Sequence, residues 1–543
     1  MVFSLLPPKG GRRCYEIVTR QPGGFFCVMV EKTLNRGRDK SIFPSVTPEG
    51  TTIKRSVHWQ NIAHVVPDIS PKTAKYLNTH YGSRGGALDW SRPEVGLMVT
   101  TATPAVREQA EYLGATAGRP LKVYEIQDLQ NGHHGHPADT LVVPYIHTQQ
   151  TEDEVKAMGQ ESWGLPPQMV WQLKNKVRFH EAVTATNVES FEVPEYKIAT
   201  LSNVARVAKE ILKESERMYS EHDMSGRYPM GVVIRAEESD GNYGNLIAHE
   251  LTDGRIKVLV NGEPLQKKVN GELVEAPPYR KGTWNRALHD AKLALQDSTA
   301  RGVNPRFVVS RFMDLADSPG MSLVLNNGYV ETLGWNTQIQ AEGTKQCIGT
   351  EKYHTKNPYL KKMQREYENK SAEDFARFLK ESAKDLKIPF DSISGIINVD
   401  IMLPGPLEME LRRKRGQDEG YYVAESNARF TNYTDATMAA LGLTGGDPTP
   451  RQIQKTVWHG VTSIDRMDLK SASPEAVRAE LYEIDQQAKA GGDPDRAFMR
   501  MPDSPNAGII LTGDRKRALG KMESAIKRAK ERVVYASHKV KVN

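Results

Sequence analysis

The chain has 543 residues, a formal net charge of +6 and 38% hydrophobic residues, and its mean hydropathy is negative. This length predicts two to four domains with sizeable cores. No run of eighteen apolar residues occurs, which excludes a membrane-spanning helix. Proline soon interrupts the N-terminal segment, and three widely spaced cysteines (Cys14, Cys27, Cys347) form no disulfide or metal-ligand pattern. A cytoplasmic protein is therefore expected.

The first third of the chain has the pattern of a parallel α/β unit. Short apolar runs mixed with Gly and Pro fill residues 1–95 and suggest strands and loops. A buried-strand pattern over 95–101, a helical pattern over 105–117 and a second strand pattern over 121–126 follow. Strand, helix and strand at this spacing predict parallel pairing. Residues 141–146 add a further strand.

The middle of the chain alternates helices and strands. Helices are predicted from residue 175 to about 191 and from 201 to 218, the second with one apolar face. A strand over 230–236 leads into a glycine-containing turn over 239–245. Two Asn-Gly steps, at 261–262 and 270–271, predict a hairpin. A helix over 283–297 closes this part of the chain.

The remaining elements are mostly strands. They are predicted over 307–313, 321–325, 329–334, 395–403 and 507–512, with helices over 372–386 and 434–443. From Asp514 onward there are ten Lys/Arg against three Asp/Glu, at helical spacing. Basic segments can bind nucleic acid, but a solvated face of an amphipathic helix is the preferred interpretation here.

The most informative pattern is Glu425-Ser-Asn427-Ala-Arg429, which follows an apolar run. On a strand, alternate residues point to one face, so these three polar side chains would share a site. A carboxylate and an amide oxygen suit Mg²⁺, and a guanidinium suits phosphate or a developing oxyanion. The alternative is a strand with a polar outer face. Asp400, within another apolar strand, favours the site because a buried unpaired aspartate is costly.

Taken in order, the elements over residues 165–535 resemble the ATP-grasp superfamily. The sequence Ala-Arg-Phe-Thr-Asn, which follows Asn427, is similar to that of peptide-ligase members with a pre-ATP-grasp domain. The resemblance implies an α/β (α+β ATP-grasp) fold in which an N-terminal pre-ATP-grasp α/β domain precedes a two-lobed module. The resemblance implies four regions. They are an N-terminal domain (1–160), a linker and central helical region (161–225), a lid subdomain (226–315) that contains a hairpin insertion near 247–282, and a C-terminal subdomain (316–543).

The resemblance also implies ATP and two Mg²⁺ ions as cofactors, with site residues in four groups. The metal ligands would be Asp400, Glu425 and Asn427. Arg429 would hold the substrate carboxylate and stabilise the oxyanion, and Lys176 and Arg235 would neutralise phosphates; position 235 is usually lysine in the family. Gly241 and Gly244 would cover the γ phosphate. Val309, Arg311 and Met313 would present backbone groups to adenine, and Gln338 would reach phosphates or ribose.

The function implied is an ATP-dependent ligase that activates a carboxylate as an acyl phosphate, releases ADP and phosphate, and joins the acyl group to an amine. Amino acids or peptide-like acids are the expected substrates. Two alternatives are carboxylation through carboxyphosphate, as in biotin carboxylase, and a degenerate fold that binds nucleic acid through the basic C-terminus. No membrane or nucleic-acid partner is expected, and a homodimer is the family's common habit. His133, His134 and His136 are interpreted as loop residues and Cys347 as structural.

Overall fold

The structure is a computed structural model. It describes residues 40–542 apart from 66–70, 83, 85–87, 133–136, 187, 189–190, 239–244, 270–271, 300–304, 341–346, 418–419, 445, 468, 470 and 501–506. Within the part described, no helix is long and apolar enough to cross a membrane. The loop histidines 133, 134 and 136 lie outside the described residues, as do Gly241 and Gly244.

The N-terminal domain is a five-stranded parallel sheet with helices around it, as the sequence predicts. Its strands are β1 (Arg55–Trp59), β2 (Glu94–Val99), β3 (Leu121–Glu125), β4 (Thr140–Pro144) and β5 (Glu161–Ser162), in the order β3-β2-β1-β4-β5. Its helices are α1 (Pro71–Tyr81), α2 (Pro104–Ala117), α3 (Ile126–Gln130) and α4 (Gln149–Ala157). Helix α2 begins after the Thr103 cap and ends at Gly118, whose φ of 72° is readily adopted by glycine.

Two helices and a short strand then lead into the lid. They are α5 (Pro167–Lys174), α6 (Lys176–Thr186) and β6 (Phe191–Glu192). The lid contains β7 (Tyr196–Thr200), α7 (Val204–Glu221), β8 (Gly231–Ala236), β9 (Asn245–Glu250), β10 (Ile256–Val260), β11 (Glu263–Pro264), β12 (Gln266–Val269), β13 (Glu272–Glu275), α8 (Trp284–Thr299) and β14 (Arg306–Arg311). Its main sheet has the order β11-β10-β9-β8-β14-β7.

The lid is larger than the sequence predicts. Residues 196–225 were expected in a central helical region, but β7 pairs with β14, and the apolar face of α7 packs on the same sheet. Residues from 196 onward therefore pack with the six-stranded sheet. The hairpin expected at the first Asn-Gly step is present, and Asn261 and Gly262 have φ values of 54° and 84°, as a tight hairpin turn requires. The second Asn-Gly step lies outside the described residues.

The C-terminal lobe is a large, mainly antiparallel sheet with helices on both faces. Its strands are β15 (Leu315–Asp317), β16 (Gly320–Asn326), β17 (Tyr329–Gln340), β18 (Cys347–Lys352), β19 (Gly395–Pro404), β20 (Tyr421–Asn427), β21 (Val461–Met467), β22 (Arg496–Met499) and β23 (Ala507–Thr512). Its helices are α9 (Pro358–Asp385), α10 (Pro406–Lys414), α11 (Asn432–Leu443), α12 (Pro450–His459), α13 (Pro474–Ala490) and α14 (Arg515–Val542). The strand order is β22-β23-β21-β18-β17-β16-β19-β20-β6.

Alternation along the central strands of this lobe separates a core from a polar face. Val399 and Ile401 on β19 and Trp335 on β17 are buried in the largest core, which also contains Phe375 and Phe378 of α9. The residues between them on β19 point to the opposite face. One side of the sheet is therefore sealed by hydrophobic packing, and polar side chains line the other.

The remaining packing explains two features of the sequence. The apolar residues of α14, including Met522 and Ile526, are buried with α13, which confirms the interpretation of this basic segment as an amphipathic helix. Helix α11 shares a core with the N-terminal domain, where Gly442 contacts Trp90 so closely that an added Cβ would lie 2.0 Å from Trp90 Nε1. The N-terminal domain and the C-terminal lobe are therefore packed firmly together.

Candidate active site

Two carboxylates face each other across β19 and β20. Asp400 is the direct cross-strand partner of Glu425, and Asn398 is the partner of Asn427. The register shifts after Asp400, because Ile401 pairs with Val423 and leaves Ala424 as an extra residue in β20. Such a bulge re-aims the residues that follow it. The predicted alternation therefore does place Glu425 and Asn427 on the face that carries Asp400.

Basic side chains from two other elements converge on Glu425. Lys176, at the start of α6 and only 2% exposed, lies with its Nζ 3.0 Å from Glu425 Oε2. Arg235, on lid strand β8, donates from Nη1 to the Ala424 carbonyl oxygen over 3.4 Å. The sequence separates these residues by about 190 to 250 positions, and only the fold brings them together.

His180 is a buried neighbour of this cluster that the sequence did not single out. It lies one helical turn after Lys176, and its Nε2 is 3.1 Å from the Ala424 carbonyl oxygen. Burial lowers the pKa of His180 to about 3, against a smaller opposing effect of that hydrogen bond. The ring is therefore neutral near pH 7 and donates Nε2–H to the carbonyl, which holds the bulge in place.

The carboxylate pair suits a divalent cation. Burial, and then the neighbouring charge of Glu425, raise the pKa of Asp400 to about 8. Two ionised carboxylates on directly paired residues of neighbouring strands repel each other unless a cation lies between them. No group of three or more His, Cys, Asp or Glu side chains in the described chain forms a metal cluster. The available donors are two carboxylates and the Asn427 amide, all hard oxygen ligands that fit Mg²⁺.

Arg429 is anchored where the C-terminal lobe meets the N-terminal domain. Its Nη2 donates to Asn427 Oδ1 over 3.1 Å, and its Nη1 donates to the hydroxyl of Tyr145 over 3.2 Å. Tyr145 follows β4 of the N-terminal domain directly. The guanidinium is therefore oriented next to the metal-ligand candidates, where it could hold an anionic group.

An apolar cluster lies on the other side of the carboxylates. Met402, two residues after Asp400 on β19, packs with Met313, Tyr422 and Ala424. The Phe312 N–H is bonded to the Gly231 carbonyl, which fixes the chain just before Met313. All four side chains are between 2% and 6% exposed, so the cluster is a small buried apolar core that includes Ala424, the residue before Glu425.

The three predicted adenine-binding residues have different environments. Val309 lies on the central lid strand β14, where its backbone is paired with neighbours on either side and its side chain is in the lid core. The Arg311 side chain is 2% exposed and is bound to neighbouring side chains, with Nη1 2.7 Å from Glu408 Oε2 and Nη2 3.4 Å from the Tyr422 hydroxyl. Of the three, only Met313 contributes its side chain to the apolar cluster.

The buried Arg311–Glu408 pair supports the apolar cluster from behind. The Tyr422 hydroxyl donates to Glu408 Oε1 over 2.7 Å, and Arg311 Nε is 2.7 Å from Glu195. Burial opposes the ionisation of Glu408, but the Arg311 charge and hydrogen bonds outweigh it and lower the pKa of Glu408. The network joins lid strand β14 to helix α10 and strand β20.

Gln338 is a predicted site residue that lies apart from the carboxylates. It lies on the same polar face, opposite Thr350, but β17 is three strands from β20. At a strand spacing of about 4.8 Å, this puts it roughly 14 Å from Glu425. The sequence analysis did not single out three other polar residues on this face, namely Asn336, Asn398 and Ser322.

Comparisons with known proteins give structural likeness only. No protein-family model and no curated protein sequence matches the chain. Biotin carboxylase from Campylobacter jejuni, solved with an ATP analogue, aligns with a TM-score of 0.46 and 13% identity over 87% of this chain and 90% of that one. N5-carboxyaminoimidazole synthase from Aspergillus clavatus, solved with ADP and 5-aminoimidazole ribonucleotide, gives 0.41 and 12% over 81% and 100%.

A third similar structure is the biotin carboxylase domain of 2-oxoglutarate carboxylase from Hydrogenobacter thermophilus, solved with MgADP and bicarbonate. Its TM-score is 0.43 at 11% identity, over 87% of this chain and 89% of that one. Since these scores are all below 0.5, the conclusions that follow depend on the geometry of the polar face.

Proposed function

We propose that this chain is an ATP-grasp enzyme that uses ATP and Mg²⁺ to activate a carboxylate as an acyl phosphate and then joins the acyl group to an amine. One observation carries the proposal. Asp400 and Glu425 face each other on adjacent strands, with Lys176 at 3.0 Å from Glu425 and the Arg235 guanidinium over the adjoining bulge. Paired carboxylates next to cations are the arrangement that phosphoryl transfer requires.

The site suggests a direction for ATP along β19. Adenine would lie against Met313, Met402 and Tyr422, and the phosphates would extend towards Lys176 and Arg235. Asp400, Glu425 and Asn427 would hold Mg²⁺, which, when bound, neutralises charge on the β and γ phosphates. Lys176 has few alternative positions because it is almost fully buried, so its charge is held next to Glu425 before the phosphates bind.

Arg429 would act on the second substrate. Its guanidinium, oriented by Asn427 and Tyr145, would bind the substrate carboxylate in line with the γ phosphate. The carboxylate oxygen attacks phosphorus, the bond to ADP breaks, and an acyl phosphate results. When the amine then attacks the carbonyl carbon, the same guanidinium stabilises the tetrahedral oxyanion. A cytoplasmic location and a homodimer stay predictions of the resemblance.

The test is release of ADP and phosphate from ATP and Mg²⁺ over a panel of amino acids and other acids, paired with amines. Substrate-dependent ADP and phosphate are expected. AMP and pyrophosphate would indicate adenylation and contradict the acyl-phosphate mechanism, and bicarbonate-dependent ADP release would favour carboxylation. Binding of nucleic acid without any ATP hydrolysis would favour the degenerate-fold alternative.

Matched variants connect the activity to the site. Glu425→Gln removes one charge from the carboxylate pair, and Arg429→Ala removes the anchored guanidinium. Each should lower kcat/KM by a factor of about 100 or more, because both act on charges that develop in the reaction. Glu366→Gln, on an exposed turn of α9, is the control and should keep full activity. Normal turnover in Glu425→Gln would show that the site lies elsewhere.

A further inference from the structure

Two buried carboxamides converge on the floor of the site. A Cβ added to Gly320 would lie 2.7 Å from Asn336 Oδ1 and 2.9 Å from Asn398 Oδ1. The asparagine side chains belong to residues that are only 6% and 3% exposed. Two carbonyl oxygens, with the Asn398 Nδ2 atom at 3.0 Å, thus border one position above the glycine, here termed the carboxamide cradle (Gly320, Ser322, Asn336 and Asn398).

Ser322 determines which ends of the two amides face this space. Its Oγ accepts from Asn336 Nδ2 over 3.0 Å and from Asn398 Nδ2 over 3.1 Å. With both amide nitrogens engaged there, the Oδ1 atoms remain as acceptors. No hydrogen-bond donor in the described part of the chain reaches either oxygen. Neither oxygen is among the buried side-chain atoms that lack a partner, so both are open to a ligand that brings its own N–H or O–H donors.

The cradle lies on the substrate side of the carboxylates. Along β19, the polar face runs from Met402 at the apolar cluster through Asp400 to Asn398. Gly320 is the cross-strand partner of Asp400, and Asn398 is the partner of Asn427, whose amide oxygen accepts from Arg429. A group held above Gly320 would therefore lie beside the proposed carboxylate-binding site and away from adenine.

We propose, on the premise of the function above, that the carboxamide cradle binds the nucleophilic nitrogen of a primary amine. Two N–H groups of the amine donate to Asn336 Oδ1 and Asn398 Oδ1, and the lone pair points to the acyl carbon. The carboxamide oxygens accept from the amine without adding a negative charge of their own, so they favour the protonated ammonium form, which cannot attack, less than an ionised carboxylate would. A secondary amine has a single N–H and satisfies one oxygen, so primary amines or ammonia are preferred.

The transfer step balances without another reagent. The amine nitrogen bonds to the carbonyl carbon, the bond between that carbon and the phosphate oxygen breaks, and a nitrogen proton passes to the departing phosphate. The products are an amide and hydrogen phosphate. The asparagines only hold the nitrogen, so their effect should be confined to the second half-reaction.

The test separates amine binding from carboxylate activation in the full-length chain. Gly320→Ala fills the cradle with a methyl group, whose three nearest atoms are side-chain atoms of Asn336 and Asn398. Asn336→Leu and Asn398→Leu remove one acceptor each. The control is Asn326→Leu, at the far end of β16, where the amide bonds to the Ser41 carbonyl.

Two readouts are compared for each variant. The first readout is exchange (scrambling) of ¹⁸O between the β,γ-bridging and the non-bridging oxygen positions of ATP. It is measured with the acid substrate but without an amine, and it reports acyl phosphate formation. ADP release with ammonium chloride or methylamine reports the amine step. We expect KM for the amine to rise about tenfold in the three cradle variants, as for the loss of one good hydrogen bond. Scrambling and the KM values of ATP and acid should stay within about twofold, as in the control.

Each other result overturns the assignment. Unchanged amine KM values in all three cradle variants would show that the nitrogen binds elsewhere. A rise in the KM of the acid or of ATP, with an unchanged KM for the amine, would assign the cradle to that substrate. A lost response to potassium ions, with normal amine kinetics, would make it a monovalent-cation site. Absence of scrambling in the wild-type chain would overturn the proposed function itself, and the amine assignment with it.

Discussion

Replacing Asp400 by asparagine should stabilise the metal-free protein while it destroys nucleotide activation. Burial and the Glu425 charge raise the pKa of Asp400 from 3.8 to about 8. At pH 7 the unfolded chain ionises this carboxyl freely, whereas the folded chain must protonate it or tolerate repulsion. A difference of about three pH units at ~1.36 kcal/mol per unit sets an upper limit of about 4 kcal/mol. Asparagine is neutral at every pH and avoids this cost.

The sign of the effect gives a pH dependence. A carboxyl with a raised folded-state pKa favours folding below its unfolded pKa, and this contribution is lost as the pH rises through the folded value. The free energy of unfolding of Asp400→Asn should therefore equal that of wild type near pH 4 and exceed it most near pH 8. With an unfolding entropy of about 2.1 cal/mol/K per residue, a gain of 2–4 kcal/mol corresponds to roughly 2–4 °C in Tm for a chain of this length.

The assay is thermal unfolding in EDTA from pH 4 to pH 8, with Asp385→Asn on an exposed part of α9 as the control. Addition of Mg²⁺ and ATP should raise the Tm of wild type and leave that of Asp400→Asn unchanged, because the variant has lost a metal ligand. A Tm for Asp400→Asn that is equal to or below that of wild type at pH 8 would refute the argument, since it would mean that no repulsion is stored in the pair.

Three further predictions concern the surroundings of the site. Glu408→Gln should destabilise the protein by about 3 kcal/mol because it leaves the 2%-exposed Arg311 without its buried partner; an unchanged urea midpoint would contradict this. Met402→Ala should raise the KM of ATP about tenfold by removing one side of the apolar cluster, while inhibition by inorganic triphosphate, which lacks the base, stays constant. Gly442→Ala should lower the free energy of unfolding by about 1–3 kcal/mol because the new methyl overlaps Trp90. A Tm equal to that of wild type would show that the contact between Gly442 and Trp90 can shift to make room for the methyl.

The sequence predicted much of the order of elements because local periodicity determines it. The parallel unit from β2 to β4, the strand that contains Asp400 and the helix after Arg429 all follow from patterns over 5 to 15 residues. Helices α12 and α13 and strands β18 and β21 were not predicted. The start of α9, at Pro358, was placed 14 residues too late because its first turns are dominated by charged residues.

The placement of residues on a common face was also predictable where the spacing is local. Glu425 and Asn427 are two residues apart on one strand, so their shared face needs only strand geometry. The same reasoning fails for Val309, because the sequence does not show that β14 would be a central strand with neighbours on both sides. Arg311 likewise follows an alternation that directs it to Glu408, a partner 97 residues away.

The sequence by itself determined which residues could do the chemistry, and the tertiary structure decided which of them meet. Side-chain type and strand alternation identify Asp400 and Glu425 without any knowledge of their neighbours, whereas Arg429, predicted on the same strand, lies beyond the end of β20 at Asn427. Cross-strand register, the extra Ala424 in β20 and the docking of α6 bring Lys176 to Glu425 and aim two asparagine oxygens at Gly320. These contacts join residues that are far apart in sequence, and long-range packing, which leaves no local pattern, is the physical reason that only the folded chain shows them.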